Sequence, residues 1–176
     1  MRRVRYVVAM SLDGYIAGPN GEADWIIIDP DIDFGALFDQ FDTFLMGRRT
    51  FEGMAGARGG AQSGVETIVF SHTLRQQDYP NVIIISENPK QALTHLRSKP
   101  GKDIWLFGGG SLFRSLLEAR QLDTVEVSVI PVLLGEGISL LPREPSSERF
   151  KLKLASSGMF KTGIVSLEYA VEHEPA

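Results

Sequence analysis

Short apolar runs alternate along the first two thirds of the chain with segments whose apolar residues recur at helical spacing. The runs are rich in β-branched and aromatic residues, which are typical of buried strands, and they cover residues 4–10, 43–46, 66–70, 82–85 and 104–107. Two predicted helices each gather apolar residues on one face, namely Phe34, Leu37, Phe38 and Phe41 in one and Leu112, Phe113, Leu116 and Leu117 in the other. A further helix is predicted from Pro89 to Ser98, with Asn88 as its N-cap. This alternation predicts an α/β protein with a mainly parallel sheet.

The last third of the chain changes to strand patterns. Valines at 125, 127 and 129 alternate with polar residues, so one face of this strand is expected to meet polar surroundings. Pro131 cannot donate a ladder hydrogen bond and therefore predicts a bulge or an edge there. Alternating leucines and lysines after Phe150, followed by a β run over residues 164–171, predict antiparallel strands at the C-terminus. The predicted sheet is therefore mixed.

Length and composition narrow the class of protein. A chain of 176 residues with 43% hydrophobic and 23% charged residues is expected to form a single domain over residues 1–176. The net charge of -4 argues against nucleic acid as a partner. Asp13 interrupts the apolar stretch that follows Arg5 too early for a signal peptide or a membrane span, so a cytoplasmic protein is expected. Cysteine is absent and the three histidines are scattered, so no metal site is implied.

A glycine turn joins the apolar run 104–107 to the next predicted helix. Gly108, Gly109 and Gly110 have no side chains to keep a ligand from the backbone, and Ser111 is a suitable N-cap for the helix. The free N–H groups and the positive dipole end of a helix favour a phosphate group. The alternative is a tight turn without a ligand, since the segment has neither standard glycine-rich fingerprint.

Two other strand ends carry polar groups that suit a phosphate. The first is Gly47-Arg48-Arg49-Thr50, where two guanidinium groups add to helix N–H donors; a solvated basic turn is the alternative. The second is Ser71-His72-Thr73, for which a plain polar loop is equally compatible. Carboxyl ends of parallel strands share one edge of a sheet, so an elongated ligand with several phosphates would span all three turns. A mobile glycine-rich loop is predicted over residues 58–64.

Several acids and one tryptophan remain as candidate ligand contacts. Asp13 precedes a glycine, which is compatible with a turn or with a ligand contact. Trp25 is expected in the core or, alternatively, in a pocket. Asp29, Asp31 and Asp33 are predicted in the first turn of a helix, where capping and the helix dipole explain them. Their spacing is that of an EF-hand opening, but the required glycine is missing, which argues against calcium.

Five segments, in this order, resemble a known family. They are S-L-D-G-Y-I-A at 11–17, L-M-G-R-R-T-F-E at 45–52, V-F-S-H at 69–72, L-F-G-G-G-S-L at 106–112 and V-S-V-I-P-V-L-L-G-E-G at 127–137. The series is similar to the reductase domain of bifunctional riboflavin-biosynthesis proteins, the RibD C-terminal domain, and its stand-alone relatives in the dihydrofolate reductase-like superfamily. The resemblance implies a three-layer α/β/α fold of the dihydrofolate reductase type and an NADPH-dependent reductase.

The resemblance also implies which residues hold NADPH. Gly47, Arg48, Arg49 and Thr50 would bind the pyrophosphate and the adenosine phosphate, and Ser71 and His72 the 2′-phosphate end. The pyrophosphate would also meet the glycine turn and its neighbours, which are Phe107, Gly108, Gly109, Gly110, Ser111 and Leu112. Ala9 and Ile16 would meet the nicotinamide. The peptide bond that matches Gly108–Gly109 is often cis in this family.

The substrate side matches the family less closely. Asp31 is the nearest match to the first-helix acid of dihydrofolate reductases, with Asp33 possible, while the S-L-D-G and V-L-L-G-E-G segments favour the riboflavin branch. Asp13 and Asp31 are the catalytic candidates, and Trp25 and Ser128 are the substrate-binding candidates. The implied substrate is a small heterocycle, most like 5-amino-6-(5-phosphoribosylamino)uracil.

Two alternative functions remain open, and an oligomeric state is also expected. The alternative enzyme is dihydrofolate reductase, and the non-enzymatic alternative is a nucleotide-binding protein of the same fold without turnover. A homodimer is expected from the family and from the apolar segments 129–134 and 138–141.

Overall fold

A computed structural model describes residues 1–58, 64–143 and 149–173 of the chain. In chain order the elements are β1 Val4–Ser11, β2 Tyr15–Ala17, α1 Phe34–Phe38, β3 Phe41–Gly47, α2 Arg48–Arg58, β4 Glu66–Phe70, β5 Ile83–Ile85, α3 Pro89–Ser98, β6 Asp103–Gly108, α4 Gly110–Glu118, β7 Thr124–Ile130, β8 Ile138–Ser139, β9 Lys151–Met159 and β10 Val165–Glu172. A 3-10 helix covers Gln76–Asp78. No helix in the described ranges has the length and apolar character needed to cross a bilayer.

Eight strands form one mixed sheet in the order β5-β4-β3-β6-β1-β7-β10-β9. The strands from β5 to β7 pair in parallel, whereas β10 is antiparallel to both β7 and β9. The short strands β2 and β8 form a separate antiparallel pair. The prediction of a mainly parallel sheet with antiparallel C-terminal strands is therefore confirmed.

Helices cover both faces of the sheet, which gives the predicted three layers. On one face α3 and α4 pack on the strands through a cluster that includes the fully buried Tyr6, Leu93 and Leu116. On the other face α1 and α2 pack through an aromatic cluster around Phe44 and Trp105. Burial of each such side chain contributes about 1.5–3 kcal/mol, so these two clusters hold the strand ends in fixed relative positions.

The first helix differs from its prediction. Phe41 was expected on the helical face but begins β3, where it is 3% exposed and its ring centroid lies 4.9 Å from that of Trp105. Burial against the aromatic cluster therefore outweighs the helical spacing. Asp33 is the N-cap of α1 and accepts a hydrogen bond from the Ala36 N–H at 2.9 Å, as capping predicts. Asp29 and Asp31 lie before the helix and not in its first turn.

Three smaller predictions also need correction. Ser111 is not the N-cap of α4, because the helix begins one residue earlier and the Phe113 N–H already bonds to the Gly109 carbonyl at 3.0 Å. Pro131 marks neither a bulge nor an edge, because β7 ends at Ile130 and lies between β1 and β10. The predicted loop after β1 contains the short strand β2. Of the loop predicted over 58–64, residues 59–63 lie outside the described residues, and Arg58 ends α2.

Candidate cofactor and substrate site

The three polar turns lie side by side at the carboxyl ends of β4, β3 and β6, which are neighbours in the sheet. Two of them are in contact. A Cβ atom added at Gly108 would lie 3.5 Å from the Thr50 side chain, and one added at Gly109 would lie 3.3 Å from Thr50 Oγ1. The structure thus brings together the turns that the sequence predicts as a phosphate-binding edge.

The turn from β3 to α2 offers both open space and positive charge. No atom lies within 4 Å of a Cβ added at Gly47. Arg48 forms an ion pair with Glu52 at 2.9 Å, with both side chains partly exposed. Arg49 is exposed and makes no ion pair with the described residues. Because surface ion pairs are weak, both guanidinium groups remain able to bind an anion, and Arg49 has no competing ion pair within the described ranges.

The turn after β4 is organised by Ser71, which is 7% exposed. Its Oγ accepts hydrogen bonds from the backbone N–H groups of Thr73 at 3.1 Å and Leu74 at 3.0 Å. Ser71 therefore shapes the turn, a role that serine often takes. His72 and Thr73 are exposed beside it, so the His72 imidazole is able to reach a ligand.

The three glycines of the central turn have different surroundings. The Gly108–Gly109 peptide bond is cis, as the resemblance implies, and Gly108 has a φ of +153°. A Cβ added at Gly110 would lie 2.7 Å from Pro142 Cδ and 2.9 Å from the Ser139 carbonyl oxygen. Gly110 is therefore required by packing, whereas Gly109 lies at the meeting point with Thr50.

Side chains around this turn also divide into core and surface. Leu112 is 8% exposed and belongs to the cluster beneath α4, and Phe107 packs on Trp105 with ring centroids 5.2 Å apart. These two side chains therefore hold the turn from opposite faces of the sheet. Ser111 is exposed in the first turn of α4, where its N–H group lies at the positive end of the helix dipole.

Asp13 links two loops that are distant in sequence. Its carboxylate accepts hydrogen bonds from Ser11 Oγ at 2.6 Å, from the Gly135 N–H at 2.7 Å and from the Leu134 N–H at 3.1 Å. The hydrogen bond from Ser11, followed by that from Gly135, lowers the pKa of Asp13, so the side chain is ionised at neutral pH. Both carboxylate oxygens are engaged within the protein, which favours the turn interpretation of Asp13 over direct ligand contact.

Backbone pairing extends this link, and we call the paired loops 11–17 and 132–140 the clamp. The Leu12 N–H donates to the Val132 carbonyl at 2.9 Å, and the Leu140 N–H donates to the Gly14 carbonyl at 2.9 Å. A side chain at Gly137 would overlap the Ala17 carbonyl oxygen. The clamp therefore joins two of the family-like segments and fixes β2, which carries Ile16.

A row of small residues crosses the sheet beside the clamp. Ala9 on β1 pairs with Ser128 on β7, and Ser128 pairs with Ser166 on β10. Two residues earlier on β7, Glu126 accepts two hydrogen bonds of 2.7 Å from the buried Arg5. Ser128 thus lies on the face expected for a substrate contact, next to Ala9. No pattern in the sequence indicates Ser166 as a candidate.

Asp31 and Trp25 occupy less enclosed positions. Asp31 is exposed, and its nearest charged partner is Lys161 at 3.9 Å. Trp25 is half-buried in a loop, belongs to neither core cluster and donates from Nε1 to the Glu22 carbonyl at 3.1 Å. Neither residue is brought into contact with the row of Ala9 and Ser128 by any described hydrogen bond.

Asp29, by contrast, is 1% exposed. It accepts hydrogen bonds from the Asp31 N–H at 2.9 Å and from Thr162 Oγ1 at 2.7 Å, and these bonds, the first above all, lower its pKa. It ties the segment before α1 to the β9–β10 hairpin. The spacing of Asp29 and Asp31 is compatible with such a local turn, but nothing in the sequence indicates that Thr162 in the hairpin is the partner of Asp29.

Similarity to solved structures defines the class as α/β proteins with the dihydrofolate reductase-like fold. Dihydrofolate reductase from Enterococcus faecalis, solved with NADP(H) and RAB-propyl, has a TM-score of 0.65 at 21% identity, covering 97% of this chain and 95% of that one. A Thermotoga maritima diaminohydroxyphosphoribosylaminopyrimidine deaminase/5-amino-6-(5-phosphoribosylamino)uracil reductase has a TM-score of 0.71 at 17% identity, covering 97% of this chain and 57% of that one.

The family follows from the sequence. The family model of the RibD C-terminal domain matches residues 2–166, so the chain belongs to this family. The uncharacterized protein YyaP of Bacillus subtilis is 35% identical over 181 residues, which covers 96% of this chain and 94% of the relative. The resemblance predicted from the five segments is therefore confirmed at the level of family and fold.

Proposed function

We propose that this protein is an NADPH-dependent reductase of a small heterocyclic substrate. The observation that carries the proposal is the meeting of the turns after β3 and β6, where Thr50 lies against Gly108 and Gly109 next to the open space at Gly47. Membership of the RibD C-terminal domain family supports it, as does the fold shared with a dihydrofolate reductase solved with NADP(H).

The described residues fit NADPH along one edge of the sheet. The pyrophosphate would lie between Gly47 and the first turn of α4, where N–H groups and the helix dipole favour negative charge. Arg49 and His72, both exposed, would bind the adenosine 2′-phosphate. Ala9 and Ile16 would contact the nicotinamide.

NADPH supplies the hydride, and the protein's contribution is to position the acceptor carbon. Two contacts hold β1 and β7 together: the Arg5–Glu126 pair lies before Ala9 and Ser128 along the strands, and the clamp lies after them. Asp13 acts in this proposal by holding the clamp.

The substrate that we propose to test first is 5-amino-6-(5-phosphoribosylamino)uracil, on which the Thermotoga maritima relative of this fold is named to act. Family membership supports this order, with dihydrofolate second. Reduction of the riboside would open its sugar to a ribityl chain.

Calorimetry with NADPH and NADH, followed by NADPH oxidation with each substrate, tests the proposal. We expect tighter binding of NADPH than of NADH, and oxidation that depends on the riboside. Faster oxidation with dihydrofolate would reverse the order of substrates. NADPH binding without oxidation by any heterocycle would instead favour a nucleotide-binding protein.

A further inference from the structure

A polar area lies on the α1 and α2 side of the sheet, beyond the limit of the aromatic cluster. That cluster reaches β1 at Val7 and includes no residue of β7, β9 or β10. Strand alternation then presents polar side chains on the same face, and their register is known. We call this area the floor; its residues are Glu126 and Ser128 on β7, Glu168 and Ser166 on β10, and Ser156 on β9.

The residues of the floor belong to two rows of paired residues that run across the strands. One row is Ala9, Ser128 and Ser166, and the next is Val7, Glu126, Glu168 and Ser156. Ser128, Ser166 and Glu168 are half-buried, so they are neither core residues nor fully solvated. The first row begins at Ala9, which our proposed function places beside the nicotinamide.

The surroundings enclose the floor on two sides. At the amino ends of the strands Arg5 closes it, because its guanidinium group is bonded to both Glu126 and Gln40 at 2.7 Å. Near the carboxyl end of β7, Asp29 holds the segment before α1 to Thr162 in the β9–β10 hairpin. A ligand on the floor would therefore extend from Ala9 across β7 and β10.

The chemistry of the floor suits a chain of hydroxyl groups. Each serine hydroxyl can donate and accept a hydrogen bond, and the Glu168 carboxylate can accept several. Glu168 accepts only one described hydrogen bond, from the exposed Ser156 Oγ at 3.1 Å. Neighbouring strands lie about 4.8 Å apart, so the paired residues Ser128 and Ser166 are close enough to contact one sugar chain together.

We infer that Ser128, Ser166 and Glu168 form a subsite for a polyhydroxylated chain, such as a ribosyl or ribityl group, of the substrate. The inference rests on the proposed function, because it orients this chain by the nicotinamide at Ala9. The inference adds Ser166 and Glu168 to the residues proposed to bind the substrate, and it has them contact the sugar chain and not the heterocycle.

Two ligands that differ by the sugar chain test the inference. Affinities for 5-amino-6-(5-phosphoribosylamino)uracil and for 5,6-diaminouracil, which lacks the sugar, would be measured by calorimetry with saturating NADP⁺. Loss of one neutral hydrogen bond in Ser166→Ala is expected to weaken the riboside about five-fold, and loss of a charged acceptor in Glu168→Ala about ten-fold or more. Binding of 5,6-diaminouracil should stay unchanged in both variants.

Glu172→Ala provides the matched control, because Glu172 is an exposed residue on the same face of the same strand, at its far end. It should leave both affinities within two-fold of wild type. Equal losses for both ligands, or no loss of riboside affinity in Ser166→Ala and Glu168→Ala, would overturn the subsite.

A titration of isotope-labelled protein with ribitol separates this inference from the proposed function. We expect ribitol to shift the amide signals of residues 128, 166 and 168. A protein that oxidises NADPH but shows no such shifts would refute the subsite alone. A protein that shows the shifts but never oxidises NADPH would refute the reductase and keep the subsite.

Discussion

Replacing Gly110 by alanine is expected to destabilise the protein, although alanine is the better helix former by about 1 kcal/mol. The added Cβ would lie 2.7 Å from Pro142 Cδ and 2.9 Å from the Ser139 carbonyl oxygen. Pro142 is itself held in place, because its carbonyl accepts two hydrogen bonds from the buried Arg114. Overpacking of this kind costs about 1–3 kcal/mol, and little of the helix propensity is regained at the first helical residue. We therefore expect a net loss of about 1–2 kcal/mol in the free energy of unfolding.

Gly47→Ala is the matched substitution at the same edge of the sheet. No atom lies within 4 Å of its added Cβ, so the free energy of unfolding should change by less than about 0.5 kcal/mol. The methyl group would nevertheless occupy the space that we assign to the pyrophosphate. Gly47→Ala should therefore weaken NADPH binding in a protein of normal stability.

Urea unfolding followed by circular dichroism measures the first effect, and calorimetry with NADPH measures the second. A loss of 1 kcal/mol corresponds to a fall in Tm of about 2–4 °C for a chain of this size. If Gly110→Ala unfolds at the same urea concentration as wild type, the packing argument for Gly110 is wrong. If Gly47→Ala binds NADPH as tightly as wild type, the pyrophosphate does not lie at Gly47.

The remaining predictions concern single contacts and one surface. Arg49→Ala should weaken NADPH about ten-fold and leave NADH affinity unchanged, because a charged phosphate contact is lost; equal losses for the two cofactors would contradict this. Asp13→Asn should slow turnover more than it weakens NADPH binding, as measured by steady-state kinetics beside calorimetry. Because the pKa of Asp13 is lowered in the folded protein, ionised Asp13 stabilises the fold above the unfolded pKa of about 3.9. This stabilisation is lost as the pH falls through the lowered pKa. Acid unfolding of Asp13→Asn should therefore be less steep than that of wild type. Tyr6→Phe should leave stability unchanged or raise it by up to about 1 kcal/mol in urea unfolding, since the fully buried Tyr6 hydroxyl has no hydrogen-bond partner among the described residues. We also propose a homodimer that uses the exposed Leu133 and Ile138, and a single species near 19.4 kDa in light scattering would refute it.

Elements with strong local signals could be predicted from the sequence. The boundaries of β4 match the prediction at both ends, and α3 begins and ends as its cap and spacing indicate, with the Asn88 side chain accepting from the Lys90 N–H. The three polar turns were also predicted to share one edge, because a parallel sheet brings the carboxyl ends of its strands together.

Local signals failed where long-range contacts decide the structure. Phe41 fits the helical spacing of α1, but burial beside Trp105 places it in β3. The backbone partners of Asp13 lie 121 and 122 residues away, and Thr162 lies 133 residues from Asp29. A single sequence contains no sign of such pairings, so it could not show that Asp13 holds a loop or that Asp29 is buried.

The clamp also bears on the order in which the chain assembles. Its two loops follow β1 and β7, which pair in parallel, so the contacts of Asp13 with Leu134 and Gly135 extend that pairing. Contacts between residues more distant in sequence cost more loop-closure entropy, about 0.6 kcal/mol for each doubling of the separation, so we expect them to form later in folding. The loop that carries Ile16 therefore gains its fixed position after the turns at Gly47 and Gly108 are already joined by β3 and β6. In the proposed reductase, the edge that we assign to the phosphates would therefore form before the end that we assign to the nicotinamide.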